Sequence, residues 1–255
     1  MTTSRENGSL YTNIENKIAT VEFGHPASNS FPSVLLDRLE KEINQLSENE
    51  EVNVILLKSE GEKAFCAGAS FNELIEIEDL ETGKQFFSGF ANVINAMRKC
   101  KKLIVGRVQG KTVGGGVGLV AACDYAMATD AAAIKLSELS IGIGPFVIAP
   151  AVERKMGVDA LAELSLAAHE WKNAYWAKEK GLYAKVFESA KDLDNEISIF
   201  TEKLASYNPQ ALLEMKKIFW KNTDHWSELL NERAAVSGEL VLSDFTKKAL
   251  AKFKK

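Results

Sequence analysis

Residues 103–139 hold four runs that decide the fold: Leu-Ile-Val-Gly-Arg-Val-Gln-Gly (103–110), Lys-Thr-Val-Gly-Gly-Gly-Val-Gly (111–118), Leu-Val-Ala-Ala-Cys-Asp (119–124) and Lys-Leu-Ser-Glu-Leu (135–139). The first is apolar, β-branched and of strand length; the third is small and apolar enough for a buried helix. Between them stand Gly114, Gly115 and Gly116. Glycines at a strand-to-helix turn permit backbone conformations closed to other residues and let a ligand approach the main chain. A helix starting there turns unpaired N–H groups and its positive dipole end toward the turn, a place suited to negative charge. Two nucleotide motifs fail on spacing. Gly110-Lys111-Thr112 would complete a phosphate loop only with Gly at 105, which is Val105, and Gly114-x-Gly116 would need Gly at 119, which is Leu119.

Outward from this core, Val52–Leu57 is a second apolar run, followed by the small-residue turn Lys63-Ala64-Phe65-Cys66-Ala67-Gly68-Ala69-Ser70-Phe71. Upstream, Lys17–Phe23 alternates as a strand, and Ser33 is placed to cap a helix carrying Leu35, Leu36, Leu39, Ile43 and Leu46 on one face. Thr82–Met97 reads as a helix with Phe86, Phe87, Phe90, Val93, Ile94 and Met97 in one apolar stripe. Short strands are expected at Tyr125–Thr129 and Ala133–Leu136. From Val158 onward the pattern is largely helical.

The 255 residues, 46% hydrophobic, suffice for one large domain or a domain with an appendage. A net charge of −4 with scattered Lys and Arg leaves no nucleic-acid footprint. No apolar run reaches the roughly 18–20 residues of a membrane span. The opening Met1-Thr2-Thr3-Ser4-Arg5-Glu6-Asn7 lacks the apolar core of a signal peptide. Cys66, Cys100 and Cys123 lack metal spacing and fit reduced thiols, so a cytoplasmic protein is expected. His25, His169 and His225 are isolated, no metal is expected, and no Gly-x-Ser-x-Gly marks a serine hydrolase.

The two small-residue turns and the Ser137-Glu138-Leu139-Ser140-Ile141-Gly142 run together resemble the enoyl-CoA hydratase/isomerase (crotonase) family over nearly the whole chain. The resemblance implies an α/β fold, a spiral of repeated ββα units in residues 1–190 holding the CoA and catalytic site. A C-terminal helical oligomerisation region would follow in 191–255, in a homotrimer or dimer of trimers. The implied substrate is an acyl-CoA, with coenzyme A as its carrier and no other cofactor. The backbone amides of Ala69 and Gly115 would hold a thioester oxyanion, Glu138 would be the acid/base, and Ala67, Gly68, Phe71, Gly114, Gly116 and Gly118 would border the substrate. Leu74, Phe86 and Phe87 are further candidates for the acyl pocket, and Lys247, Lys248, Lys252, Lys254 and Lys255 for the CoA phosphates.

Two residues depart from the family pattern. Gly118 stands where hydratases carry their first glutamate, so the water they activate loses an anchor. A single carboxylate can still move a proton between carbons, which suits a Δ3-Δ2-enoyl-CoA isomerase. The alternatives are a hydratase using Glu73, Glu76 or Glu78 as replacement acid, or a non-catalytic acyl-CoA binder. Arg107 interrupts the central strand and needs a carboxylate partner or solvent. Were it to face the pocket instead, an acidic acyl chain of glutaconyl type would become attractive; the hydratase alternative includes acidic or branched enoyl-CoAs.

Overall fold

The computed structural model describes residues 5–252; Met1–Ser4 and, from the basic tail, Phe253, Lys254 and Lys255 lie outside them. After a short 3-10 turn at Arg5–Asn7, the chain forms strands β1 (Ser9–Glu15) and β2 (Ile18–Gly24) and helix α1 (Ser33–Glu48). Three rounds follow. The first is β3 (Val54–Ser59), β4 (Ala64–Cys66), α2 (Phe71–Ile75) and α3 (Leu80–Lys99); the second is β5 (Leu103–Val108), β6 (Lys111–Val113) and α4 (Gly115–Ala122). The third is β7 (Tyr125–Thr129), β8 (Ile134–Lys135) and a 3-10 turn at Glu138–Ile141. Then come α5 (Ala149–Met156), α6 (Val158–Leu166), α7 (Ala174–Glu179), β9 (Lys185–Phe187), α8 (Ala190–Ala205), α9 (Pro209–Phe219), α10 (Trp226–Val241) and α11 (Asp244–Ala251).

Each round places one strand in each of two sheets, and this is the spiral. The larger runs β1-β2-β3-β5-β7-β9, parallel except for the β1/β2 hairpin; the smaller runs β4-β6-β8, all parallel. All six residues of β5 are buried, as expected of a central parallel strand covered on both faces. On one face Val54, Val105 and Met127 meet Leu193, Ile197 and Ala205 of α8. On the other, Ile55, Leu57, Ile104 and Val108 join the main core with the apolar faces of α1 and α3.

The alternation of side chains along β5 decides the fate of Arg107. It shares its face with Val105, two residues earlier, and so meets α8. There its guanidinium donates to Asp194 from Nε (2.6 Å) and NH2 (3.0 Å) with 9% of the residue exposed. Arg107 is a structural ion pair, and the ground for an acidic acyl chain falls away.

Ser33 is the first helical residue of α1 rather than its cap. Pro32 is the N-cap and offers no side-chain acceptor. Glu73 of α2 takes over, accepting from Ser33 N (3.0 and 3.1 Å) and Oγ (2.5 Å). The negative carboxylate at a helix N-terminus is where the dipole favours it.

The C-terminal helices fold back on their own chain. α10 crosses α3 so closely that a Cβ at Gly83 would stand 2.9 Å from Gly238 O. α11 lies on the Glu138–Ile141 turn, where a Cβ at Gly142 would meet Phe245 and Thr246 at 2.5 Å. Leu74, Phe86, Ile143, Val241 and Leu250 form the resulting apolar cluster. Among the described residues no helix is long and apolar enough to cross a membrane.

Candidate active site

The two small-residue turns meet beside the Glu138 turn because β4, β6 and β8 are neighbours in the small sheet and each turn leaves the end of one of them. At the first, Phe31 N donates to Gly68 O and Ser70 N to Phe31 O, both at 2.8 Å, which leaves the Ala69 N–H between them without a protein acceptor. At the second, Gly114 has φ 54 and ψ −122, a conformation that excludes side-chain-bearing residues and orients the first turn of α4. Gly114 N donates to Lys135 O (3.0 Å) and Val117 N to Gly114 O (2.8 Å), while the N–H of Gly115, at the helix start, has no acceptor among the described residues. Gly68, at φ 91, lets the turns approach closely, since a Cβ there would crowd Val113 O at 3.2 Å.

Ala69 and Gly115 both line one mainly apolar cavity of about 150 Å³. Of the residues expected to border substrate, Ala67, Gly68, Phe71 and Gly114 line it, with Leu74, Phe86 and Phe87. Gly116 and Gly118 do not: they lie on the buried side of α4. A Cβ at Gly116 would stand 2.7 Å from Cys66 Cβ, and one at Gly118 would stand 2.4 Å from Ile148 Cγ2 and 3.6 Å from Ile94 Cδ1. The place of a hydratase glutamate at 118 is thus filled by Ile148, itself a lining residue. Phe90, Ile141, Ile143, Phe146, Val147 and Ser237 also line the cavity, and sequence reading did not single them out for it. The Phe90 stripe could have signalled its own role; Ser237 arrives from α10 by packing alone.

Glu138 is the sole ionisable side chain on the cavity wall among the described residues. Its Oε1 lies against the glycine turn, 2.8 Å from where a Cβ on Gly114 would be. Its Oε2 is buried with no hydrogen-bond partner. Burial pushes its pKa from 4.5 up to about 7, partly offset by its own and Ser137's backbone N–H. An ionised carboxylate held this way is poorly solvated and correspondingly basic.

The other acidic candidates stay outside. Glu73 caps α1, Glu73 and Glu76 line a separate surface pocket with Ser33 and Thr82, and Glu78 is exposed. Lys247 and Lys248 on α11 and Lys252 at its C-cap are exposed and do not line the cavity. Cys66 is buried, its thiol pushed up to about 12, so it is no nucleophile at neutral pH. Asp124 of the Ala-Ala-Cys-Asp run is structural: it accepts from Ile104 N (2.8 Å), Trp220 Nε1 (2.8 Å) and Lys216 Nζ (3.0 Å). No group of His, Cys, Asp and Glu able to hold a metal occurs among the described residues.

A two-sheet spiral whose cavity joins two unpaired backbone amides to one buried carboxylate defines the structural class. The chain belongs to the enoyl-CoA hydratase/isomerase family, whose model matches residues 13–254; members of that family are enzymes of the isomerase or lyase class. It is 27% identical over 199 residues to the peroxisomal Δ(3,5)-Δ(2,4)-dienoyl-CoA isomerase of Arabidopsis thaliana, covering 72% of this chain and 70% of that one. To the short-chain-enoyl-CoA hydratase of Clostridium acetobutylicum it is 30% identical over 200 residues, covering 78% and 76%. The crystal structure of enoyl-CoA hydratase from Bacillus halodurans superposes with a TM-score of 0.88 over 95% of this chain and 99% of that one at 18% identity, a likeness of fold.

Proposed function

We propose that this protein isomerises enoyl thioesters of coenzyme A, moving a double bond from the Δ3 to the Δ2 position with Glu138 as the one proton carrier. The observation that carries this reading is the cavity wall itself, where among the described residues Glu138 is the single ionisable group and Ile148 fills the space a second glutamate would need. Hydration needs a water held and deprotonated by one group while another delivers a proton to carbon. This wall offers such a water one carboxylate, with Ser137 and Ser237 as the other polar side chains and no second acid or base among the described residues.

In the proposed reaction the Glu138 carboxylate takes a proton from C2 of the 3-enoyl thioester. The electron pair moves into the conjugated system and places negative charge on the thioester oxygen. The N–H groups of Ala69 and Gly115 hold that oxygen, an arrangement worth about 3–4 kcal/mol per donor to the barrier. Glu138 then returns the proton to C4 as the double bond settles between C2 and C3, and the carboxylate is regenerated. A pKa of about 7 suits a group that must both accept and release a proton at neutral pH. Coenzyme A enters as part of the substrate. A cytoplasmic location and a trimer or dimer of trimers complete the proposal, the exposed apolar side chains of Val158, Leu166 and Ile218 offering surface for subunit contact.

Purified protein supplied with 3-enoyl-CoA and 2-enoyl-CoA in deuterated water tests the reading. Conversion of the 3-enoyl ester without uptake of water, lost in Glu138→Gln, is the expected result. Hydration of the 2-enoyl ester as the main reaction would refute it. CoA-ester binding with no turnover of either substrate would point instead to a non-catalytic binder.

A further inference from the structure

We infer that Phe146 limits the length of the acyl chain this site accepts, and that the wild-type cavity takes short, straight, uncharged acyl groups. This rests on the acyl-CoA reading of the cavity given above.

The cavity beyond Glu138 is walled by Leu74, Phe86, Phe87, Ile143, Phe146 and Ile148, with no charged group other than Glu138 among the described residues. At about 150 Å³ it matches the size of apolar cavity that accepts a benzene-sized guest, or about six carbons. A much larger groove, about 690 Å³, lies between α5 and the α9–α10 segment. It presents Pro150, Phe219, Trp226 and Leu229 together with charged groups such as Glu153 and Arg233. Phe146 is the one residue that lines both spaces among the described residues. Its ring is folded back over the main chain, so that a Cβ on Gly144 would stand 2.4 Å from its Cζ. Gly144 is therefore what allows the ring to stand as the partition.

A methylene added to the acyl chain gains affinity while it enters the dry cavity, roughly fourfold for each one buried. Past the ring that gain ends, because the wild-type wall leaves no dry volume to enter. Removing the ring vacates room for about four methylenes at native packing density and opens the cavity toward Pro150, Phe219, Trp226 and Leu229.

The test is calorimetric binding of straight saturated acyl-CoAs, from butyryl- to dodecanoyl-CoA, to the full chain as wild type, Phe146→Ala and Phe146→Trp. In wild type, affinity is expected to climb roughly fourfold per methylene up to about six carbons and then level. Phe146→Ala should carry the climb to about ten carbons, and Phe146→Trp should end it near four. Because the readout is where the climb stops within each variant, a uniform change in affinity does not affect it. A break at the same length in all three proteins, or no break in wild type, would overturn the role of Phe146 while leaving the acyl-CoA site standing. Failure of wild type to bind any acyl-CoA would overturn both readings.

Discussion

Glu138→Gln separates a desolvated base from an idle surface carboxylate by a measurement that requires no substrate. Folding moves this carboxyl from its ordinary 4.5 to about 7, because Oε2 is buried without a partner. The folded chain therefore holds a proton that the unfolded chain has released between those two pH values, and stability falls as pH rises through that window. At about 1.4 kcal/mol per tenfold, the ionised side chain costs the native state about 3 kcal/mol above pH 7 and nothing below about pH 4.5. Glutamine occupies nearly the same volume and carries no charge at either end. The variant should thus gain about 3 kcal/mol relative to wild type between about pH 4.5 and pH 8. Urea unfolding of both proteins across that range reads the difference directly. In parallel, isomerisation should fall by roughly 10²–10⁴, the usual contribution of a positioned proton carrier. A stability difference independent of pH would refute the buried-carboxylate reasoning, and full activity in Glu138→Gln would remove the residue from the chemistry.

Further outcomes follow from the same geometry. The kcat/KM of wild type should rise with pH to a plateau, with its midpoint near the Glu138 value of about 7, since the free enzyme must carry the carboxylate to accept the first proton; a flat profile from pH 5.5 to 8.5 would contradict this. Gly118→Glu alone should destabilise the chain by about 1–3 kcal/mol or more, as the new side chain collides with Ile148, and should not hydrate 2-enoyl-CoA. Pairing it with Ile148→Gly should relieve the collision, and water addition measured in that double variant should exceed that of either single variant. Asp194→Ala should cost about 2 kcal/mol in denaturant unfolding by stranding the Arg107 guanidinium on the α8 face, with the acyl-length profile unchanged.

The family, the longer central strands and main helices, and the two small-residue turns were legible in the chain. Local chemistry explains why. A β-branched run followed by glycines and a small apolar helix has few structural outcomes, and Gly114 and Gly68 announce turns that other residues cannot make. The short strands Ala64–Cys66, Lys111–Val113 and Lys185–Phe187 were not legible as strands, because three residues show no period; only their neighbours in the sheets make them strands. Gly116 and Gly118 looked like part of the ligand surface because they sit among glycines that are. A helix turns about 100° per residue, so two of the four point into the core, which depends on how α4 packs rather than on composition.

From sequence alone came a lone glutamate, a missing partner and an arginine that needed a counter-charge. Tertiary structure decided what each one meets. It set Arg107 against Asp194, eighty-seven positions along the chain, placed Glu73 on the end of α1, and filled the position next to Gly118 with Ile148. It also buried Oε2 of Glu138 with no partner and set Oε1 against the Gly114 turn. Desolvation and contact are properties of what packs around a group, and those neighbours come from segments distant in sequence. Residue types and spacing could therefore name the reacting groups, while the basicity of Glu138 and the dimensions of its cavity arise only when the spiral closes and α10 brings Ser237 to the cavity wall.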